Sequence, residues 1–274
     1  LNFMEIKYLN DECEKISKNS DLEFGKAIIP LTQSNNLLSN DANLNENGFG
    51  LFTLNQEKTF ERLYTFISDY VFQQLSHFQE IDSSQFELSQ YHRYLKNEET
   101  HYKISTWAID YKMLGDVFYK ILSQAEELLK FKLNVKRIDH FGKTGEYIGF
   151  RILRPFKSDH NPFHRDAWIS YWRDTVNIWL PLCGFEDGNS LQLIPKSHWW
   201  ADDQILKTKA GVEIDGKKYH VPAAIGTVNK FDIETPVLRK GEGIIFFPYL
   251  IHGNGENRKN GITRVSLEFR FCKA

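Results

Sequence analysis

Arg264-Val265-Ser266-Leu267-Glu268-Phe269-Arg270-Phe271 alternates strictly between polar and apolar side chains. A period of two is the signature of a β-strand, because successive side chains leave opposite faces of the pleat. Val265, Leu267, Phe269 and Phe271 share one face, which the pattern predicts to be buried. Arg264, Ser266, Glu268 and Arg270 share the other. Working back from this strand, Gly243–Phe247, Ser190–Ile194, Thr175–Leu182, Tyr147–Arg154 and Val135–Phe141 are also short, β-branched and aromatic, with Gly, Pro and Asn between them. The first half differs. From Glu57 to Phe78 the residues Phe60, Leu63, Tyr64, Ile67, Tyr70, Val71 and Leu75 recur at spacings of 3 and 4, which predicts a helix. Asp116–Phe131 reads as a second helix, Asn47-Gly48 as a turn, and Phe86–Trp107 is ambiguous. Many short strands following helical segments predict a mainly β fold with α: a sandwich or jelly roll with helices packed on one side. With no linker in view, residues 1–274 read as one domain, helical over 1–131 and a jelly-roll core over 132–274.

The chain has 274 residues, enough for a large core, with roughly three quarters of its unfolded surface buried. Its net charge of −2 gives no basic footprint for nucleic acid. No apolar run is long enough for a membrane span, and Leu1–Asn10 shows no secretory pattern. Cys13, Cys183 and Cys272 are far apart and form no CxxC, so a reducing, cytoplasmic setting is expected.

Chemistry concentrates in Asn161-Pro162-Phe163-His164-Arg165-Asp166-Ala167-Trp168. On extended backbone His164 and Asp166 point to the same side, so an imidazole and a carboxylate can grip one ion. His252, after the strand at Gly243, is the best candidate for a third ligand. Two His and one carboxylate, with open positions left over, make the facial triad of non-haem Fe(II) oxygenases. Arg264 and Ser266 share a strand face, and a guanidinium fork beside a hydroxyl suits a carboxylate such as the distal one of 2-oxoglutarate. Taken singly, each element also has a plain structural reading; the ordered combination carries the argument. Pro162 argues against a helical His160/His164 zinc pair.

The combination resembles the phytanoyl-CoA dioxygenase superfamily of Fe(II)- and 2-oxoglutarate-dependent oxygenases, from about Val135 to Phe271. The matching pieces are His164-Arg165-Asp166, Asn177-Ile178-Trp179-Leu180-Pro181-Leu182, Gly188-Asn189-Ser190-Leu191-Gln192-Leu193-Ile194-Pro195-Lys196-Ser197-His198, Gly241–Phe247, His252-Gly253-Asn254-Gly255 and Arg264. The resemblance implies His164, Asp166 and His252 as iron ligands. It implies Arg264, assisted by Ser266, as the partner of the distal carboxylate, with Trp179 and Asn254 beside the cosubstrate. It also implies a double-stranded β-helix fold, dioxygen as oxidant, and decarboxylation of 2-oxoglutarate to succinate and CO₂. Asp166 is present where related halogenases lack the carboxylate, which favours hydroxylation. Lys196 stands where the family usually has Gly, and the 12-residue spacing from His252 to Arg264 is slightly long. The first 130 residues match nothing recognisable.

Five of the 6 tryptophans (Trp168, Trp172, Trp179, Trp199 and Trp200), with Arg151, Arg154, Arg165 and Arg173 nearby, suggest a sugar-like or amino-acid-like small molecule in a biosynthetic pathway. A jelly-roll binding protein without turnover and a zinc hydrolase using the same triad are the alternatives. His92, His101, His140, His198 and His220 read as structural or surface residues. Thr208–Asn229, with Gly211, Gly216 and Gly226, reads as a lid.

Overall fold

The computed structural model describes residues 6–25, 41–105, 108–140, 143–186, 188–259 and 261–274. Among these residues there are five α-helices: α1 (Asp11–Ser17), α2 (Ala42–Asn47), α3 (Glu57–Ser76), α4 (Glu98–Ser105) and α5 (Asp116–Leu129). The strands are β1 (Lys7–Tyr8), β2 (Leu22–Phe24), β3 (Phe49–Thr53), β4 (Ala108–Asp110), β5 (Leu133–Val135), β6 (Ile138–His140), β7 (Lys143–Gly145), β8 (Tyr147–Leu153) and β9 (Thr175–Cys183). They continue with β10 (Leu191–Leu193), β11 (Ile205–Thr208), β12 (Val212–Ile214), β13 (Lys217–Tyr219), β14 (Ala224–Thr227), β15 (Glu242–Phe246), β16 (His252–Asn254) and β17 (Arg264–Lys273).

The major sheet runs β3-β15-β9-β17-β8-β4, with β5 also on β17. All its pairings are antiparallel. Its outer face is the apolar row of each strand. Val265, Leu267, Phe269 and Phe271 of β17 join Ile148, Phe150 and Ile152 of β8 against Leu63, Ile67 and Val71 of α3 and Val117, Phe118 and Ile121 of α5. The two helices cover this face because their apolar residues recur at helical spacing, and burying such a stripe is the main source of helix stability in a protein.

The opposing minor sheet is assembled in pieces. Strands β1, β14, β11 and β2 pair in that order, and β10 pairs with β16. The extended segment at Phe163 and His164 joins them. Ala224 N donates to Phe163 O, and His164 and His252 exchange backbone hydrogen bonds of 2.9 and 3.0 Å. The two sheets enclose a second core of Phe49, Trp179, Phe185, Leu191, Leu193 and Ile244. Two antiparallel sheets wound in this order form the double-stranded β-helix. Helices α3 and α5 lie on one side, over the major sheet, as expected, whereas α1 packs through Cys13 and Ile16 against β14 of the minor sheet.

Several details differ from the sequence reading. The stretch before residue 132 is not only helical: β3 and β4 extend the major sheet, and β1 and β2 extend the minor one. The strand expected over Val135–Phe141 is two, β5 ending at Val135 and β6 hairpinned to β7; Phe141 lies outside the described residues. The ambiguous segment holds a 3-10 turn over Leu88–Tyr94 followed by α4; Trp107 lies outside the described residues. Gly48, expected in a turn, caps α2 at φ 85°, a conformation that favours glycine. Lys196 takes φ 64°, so this turn keeps the left-handed geometry a glycine would adopt.

Candidate metal centre and cosubstrate pocket

The three candidate metal ligands sit where the sheets converge. His164 and His252 face each other across their paired backbones, with ring centroids 4.4 Å apart. Asp166 begins a short 3-10 turn immediately after the extended segment. One ligand atom from each of His164, Asp166 and His252 lies within 4.8 Å of the others, and all three residues are buried.

The surrounding hydrogen bonds prepare these atoms. His164 Nδ1 lies 2.8 Å from Pro162 O and His252 Nδ1 lies 3.0 Å from Leu250 O. A carbonyl can only accept, so each Nδ1 carries the proton and each Nε2 presents a lone pair to the centre. Burial, then the neighbouring His164, pushes His252 down to about 4, so its ring is neutral at ordinary pH. Asp166 Oδ2 accepts from Asn177 Nδ2 at 2.7 Å and from Arg270 at 3.4 Å. Its Oδ1 is buried without a hydrogen-bond partner, 3.4 Å from His164 Nε2. Burial alone would raise this carboxyl; the Arg270 guanidinium instead holds it well below the usual carboxylate range. Two imidazole nitrogens and one anionic oxygen, converging from three buried residues, fit a divalent iron with open positions.

Arg264 and Ser266 do share a face, since β17 keeps an unbroken register with β8 there. Arg264 is fully buried. Its Nη1 donates to Asn189 O and Oδ1 and to Ser190 O, and its Nη2 to Gly255 O. Among the described residues its Nε and the Ser266 Oγ have no hydrogen-bond partner, nor do Trp179 Nε1, Ser190 Oγ and Asn254 Oδ1. Buried polar atoms are normally paired, so a cluster of unpaired ones marks a place for a ligand. Trp179 and Asn254 line the narrow space at the triad together with Asn177, Phe246, Glu268 and Arg270. Beyond Asn161 and Asn254 a cavity of about 1220 Å³ opens, with Arg264, Ser190 and Gln192 on its wall.

The seven expected site residues therefore converge. What the sequence did not reveal is the inner face of β17. Of its polar row, only Arg264 and Ser266 were expected to have a role. Instead Glu268 and Arg270 face the triad between the two sheets, and Arg270 reaches Asp166 while Glu268 is held by Arg151 at 3.1 Å and Arg270 at 3.2 Å. Burial opposes ionisation of Glu268, yet Arg151 and Arg270 bring it down to about 2. Asn177, quoted only as part of a motif, is the partner of Asp166. The strict alternation of charges on β17 was the available signal.

Four members of the tryptophan and arginine cluster, Arg154, Arg165, Trp168 and Trp199, are tied into the framework. Arg165 is buried and bonded to Asp202, Ser197 O and Trp200 O. Trp168 donates to the same Asp202, and Trp199 to Asn45 O. Arg154 clamps Asp159, which also meets His101 at 3.2 Å. These groups hold the framework around the triad and do not form an open platform. The expected lid contains the β12–β13 hairpin, with Tyr219 Oη donating to Ser158 O and Val212 and Ile214 buried.

No helix among the described residues is long and apolar enough to cross a membrane. Among solved structures, the non-heme alpha ketoglutarate dependent epimerase SnoN from nogalamycin biosynthesis is 14% identical, with 85% of this chain and 80% of that one covered and a TM-score of 0.47. EctD from S. alaskensis with 2-oxoglutarate and 5-hydroxyectoine is 13% identical, with 92% and 84% covered and a TM-score of 0.47. AviO1 from Streptomyces viridochromogenes Tue57 is 12% identical, with 84% and 92% covered and the same TM-score. Likeness at this level carries no argument about reaction or substrate. No curated protein matches the sequence. The family profile for phytanoyl-CoA dioxygenase (PhyH) matches residues 75–265, beginning well before Val135 and so reaching into the part that had resembled nothing. With that match across more than half of its length, the chain belongs to the phytanoyl-CoA dioxygenase family, whose chemistry uses Fe(II), 2-oxoglutarate and dioxygen.

Proposed function

We propose that this protein is an Fe(II)- and 2-oxoglutarate-dependent dioxygenase that hydroxylates a small polar metabolite, sugar-like or amino-acid-like, in a biosynthetic pathway. The observation that carries the reading is the unpartnered, buried Asp166 Oδ1 facing two histidines whose Nδ1 atoms are already committed to carbonyls. His164, Asp166 and His252 hold the metal in this reading. Iron with 2-oxoglutarate and dioxygen supplies the oxidising power that breaks a substrate C–H bond, as the cosubstrate is converted to succinate and CO₂.

The chain's own residues bind, orient and shield. Asn177 and Arg270 occupy Asp166 Oδ2, leaving one oxygen for coordination and holding the carboxylate against rotation. Arg264 receives the distal carboxylate through its Nε edge, with Ser266 Oγ beside it. Carbonyls of Asn189, Ser190 and Gly255 fix the guanidinium plane in advance, so little side-chain entropy is lost when the anion binds. Trp179 walls the pocket from the major-sheet side, and Asn254 Oδ1 remains to accept a hydrogen bond. The cavity beyond Asn161 and Asn254 gives the dicarboxylate a polar route to Arg264.

The test is oxygen- and iron-dependent conversion of 2-oxoglutarate to succinate, which His252→Ala must abolish. Metal-dependent hydrolysis without oxygen consumption would replace this reading with the zinc hydrolase.

A further inference from the structure

Paired residues on neighbouring strands share a face, so the register traces a row across the inner face of the major sheet at the level of the triad. It runs Ile244, Trp179, Glu268, Gly149, Ala108. The row is bulky on one side of Glu268 and almost bare on the other. Trp179 and Ile244 are buried, whereas Glu268, Gly149 and Ala108 are each partly exposed. A Cβ built on Gly149 would meet Glu268 Cβ at 3.5 Å and its Oε2 at 3.6 Å, so the missing side chain leaves a strip directly against the carboxylate. Arg151, one step along β8, flanks the strip, and its side chain is 37% exposed against 15% for Glu268. The strip thus runs from solvent to the metal-facing side of Glu268, away from the Arg264 pole.

We infer that this strip is the substrate site and that it takes a small zwitterion of the amino-acid type, its cationic group on Glu268 and its carboxylate on Arg151. The inference rests on the oxygenase reading above. The charges of the wall alternate along the row: Arg151, Glu268, Arg270, Asp166. Such a row is neutral as a whole: a ligand with only a cation would take Glu268 from Arg151 and leave Arg151 unmatched, and one with only an anion would take Arg151 from Glu268 and leave that carboxylate with Arg270 alone. A zwitterion replaces one ion pair by two, because each wall residue keeps an opposite charge. Arg270 is not free to take part, since it is stacked on Trp172 at 4.2 Å and bound to Asp166 and Glu268. Among the described residues, the strip offers an acyl chain no apolar floor beyond Ala108.

The probes are the common L-α-amino acids, their amides, which keep only the cation, their N-acetyl derivatives, which keep only the anion, and neutral polyols of similar size. Each is added to the anaerobic protein loaded with Fe(II) and 2-oxoglutarate, and the shift of the visible band of the ferrous complex is read, followed by succinate formation in air. One or more amino acids should shift the band, with the amide and N-acetyl forms of the same compound weaker by about 10- to 100-fold, as for loss of one charged hydrogen bond. Arg151→Gln should erase the preference for the acid over its amide. Glu268→Gln should erase the preference for the free amine over its N-acetyl form. Gly149→Leu, which fills the strip while retaining both charges, should abolish the response. A band that no zwitterion moves, polyols that move it equally well, or a Gly149→Leu protein that responds normally each overturns the inference. Absence of the band itself would instead overturn the oxygenase reading.

Discussion

Replacing Asn177 with alanine should weaken metal binding without unfolding the protein. Asn177 is 3% exposed, and its Nδ2 donates to Asp166 Oδ2 at 2.7 Å. Its orientation follows from that partner, because an ionised carboxylate only accepts and so must face the amide nitrogen. A hydrogen bond to a charged group contributes about 1.5–3 kcal/mol, and a decade in affinity corresponds to about 1.4 kcal/mol. Arg270 still touches the same oxygen at 3.4 Å, which places the loss towards the lower end. The expected dissociation constant for Co(II) rises about 10- to 30-fold, in the range usual for partners of metal ligands. Titration of metal-free protein with Co(II), followed by its visible bands, measures this directly. Circular dichroism and urea unfolding verify that the variant is folded. A folded variant whose affinity stays within about twofold of the parent would refute the idea that Asn177 prepares the ligand carboxylate.

Other consequences can be checked in parallel. Arg264→Gln should raise the concentration of 2-oxoglutarate needed for half-maximal turnover by about 10- to 100-fold, with a smaller effect on the rate at saturation, since the contact is mainly one of binding. Arg165→Met should destabilise the fold by about 3–5 kcal/mol in urea, because it leaves Asp202 buried beside Trp168 without its counter-charge. His198 is buried with Nε2 2.9 Å from Asn45 O, and burial pushes it down from 6.5 to about 4. Between those values the unfolded chain binds a proton that the folded chain refuses, so stability falls as pH drops through that window. His198→Gln should flatten the fall in urea midpoint between pH 6.5 and 4. The remaining slope has the same sign from His252, also near 4, in the metal-free protein. Lys196→Gly should relieve a left-handed backbone at φ 64° while losing the exposed Lys196–Glu46 pair; a net change within about 1 kcal/mol is expected from unfolding curves.

The jelly roll was legible because its strands carry strong period-two patterns that end at glycine, proline or asparagine. Helices α3 and α5 were legible because their apolar stripes have helical spacing. The short edge strands were not. Lys7–Tyr8 and Ala108–Asp110 have no periodicity of their own and become strands only because β14 and β8 offer unpaired backbone groups. The proposed ligands were singled out because spacing on an extended segment, together with family resemblance, places His164 and Asp166 on one side. Asn177, Glu268 and Arg270 were not assigned a role, because which face of a strand looks into the barrel depends on the opposing sheet. For the same reason the arginines near Trp168 looked available, although Arg165 is committed to Asp202 and Arg154 to Asp159. A guanidinium's partners are tertiary facts that local sequence does not contain.

The central claim is that His164, Asp166 and His252 hold an iron to which 2-oxoglutarate binds. Its most direct test is an anaerobic titration of metal-free protein with Fe(II) and then 2-oxoglutarate, watched for the visible charge-transfer band of a chelated ferrous complex. The band should appear only when both are present, saturate at one equivalent of iron, and vanish in His252→Ala. Iron that binds stoichiometrically without producing the band on addition of 2-oxoglutarate would contradict the account.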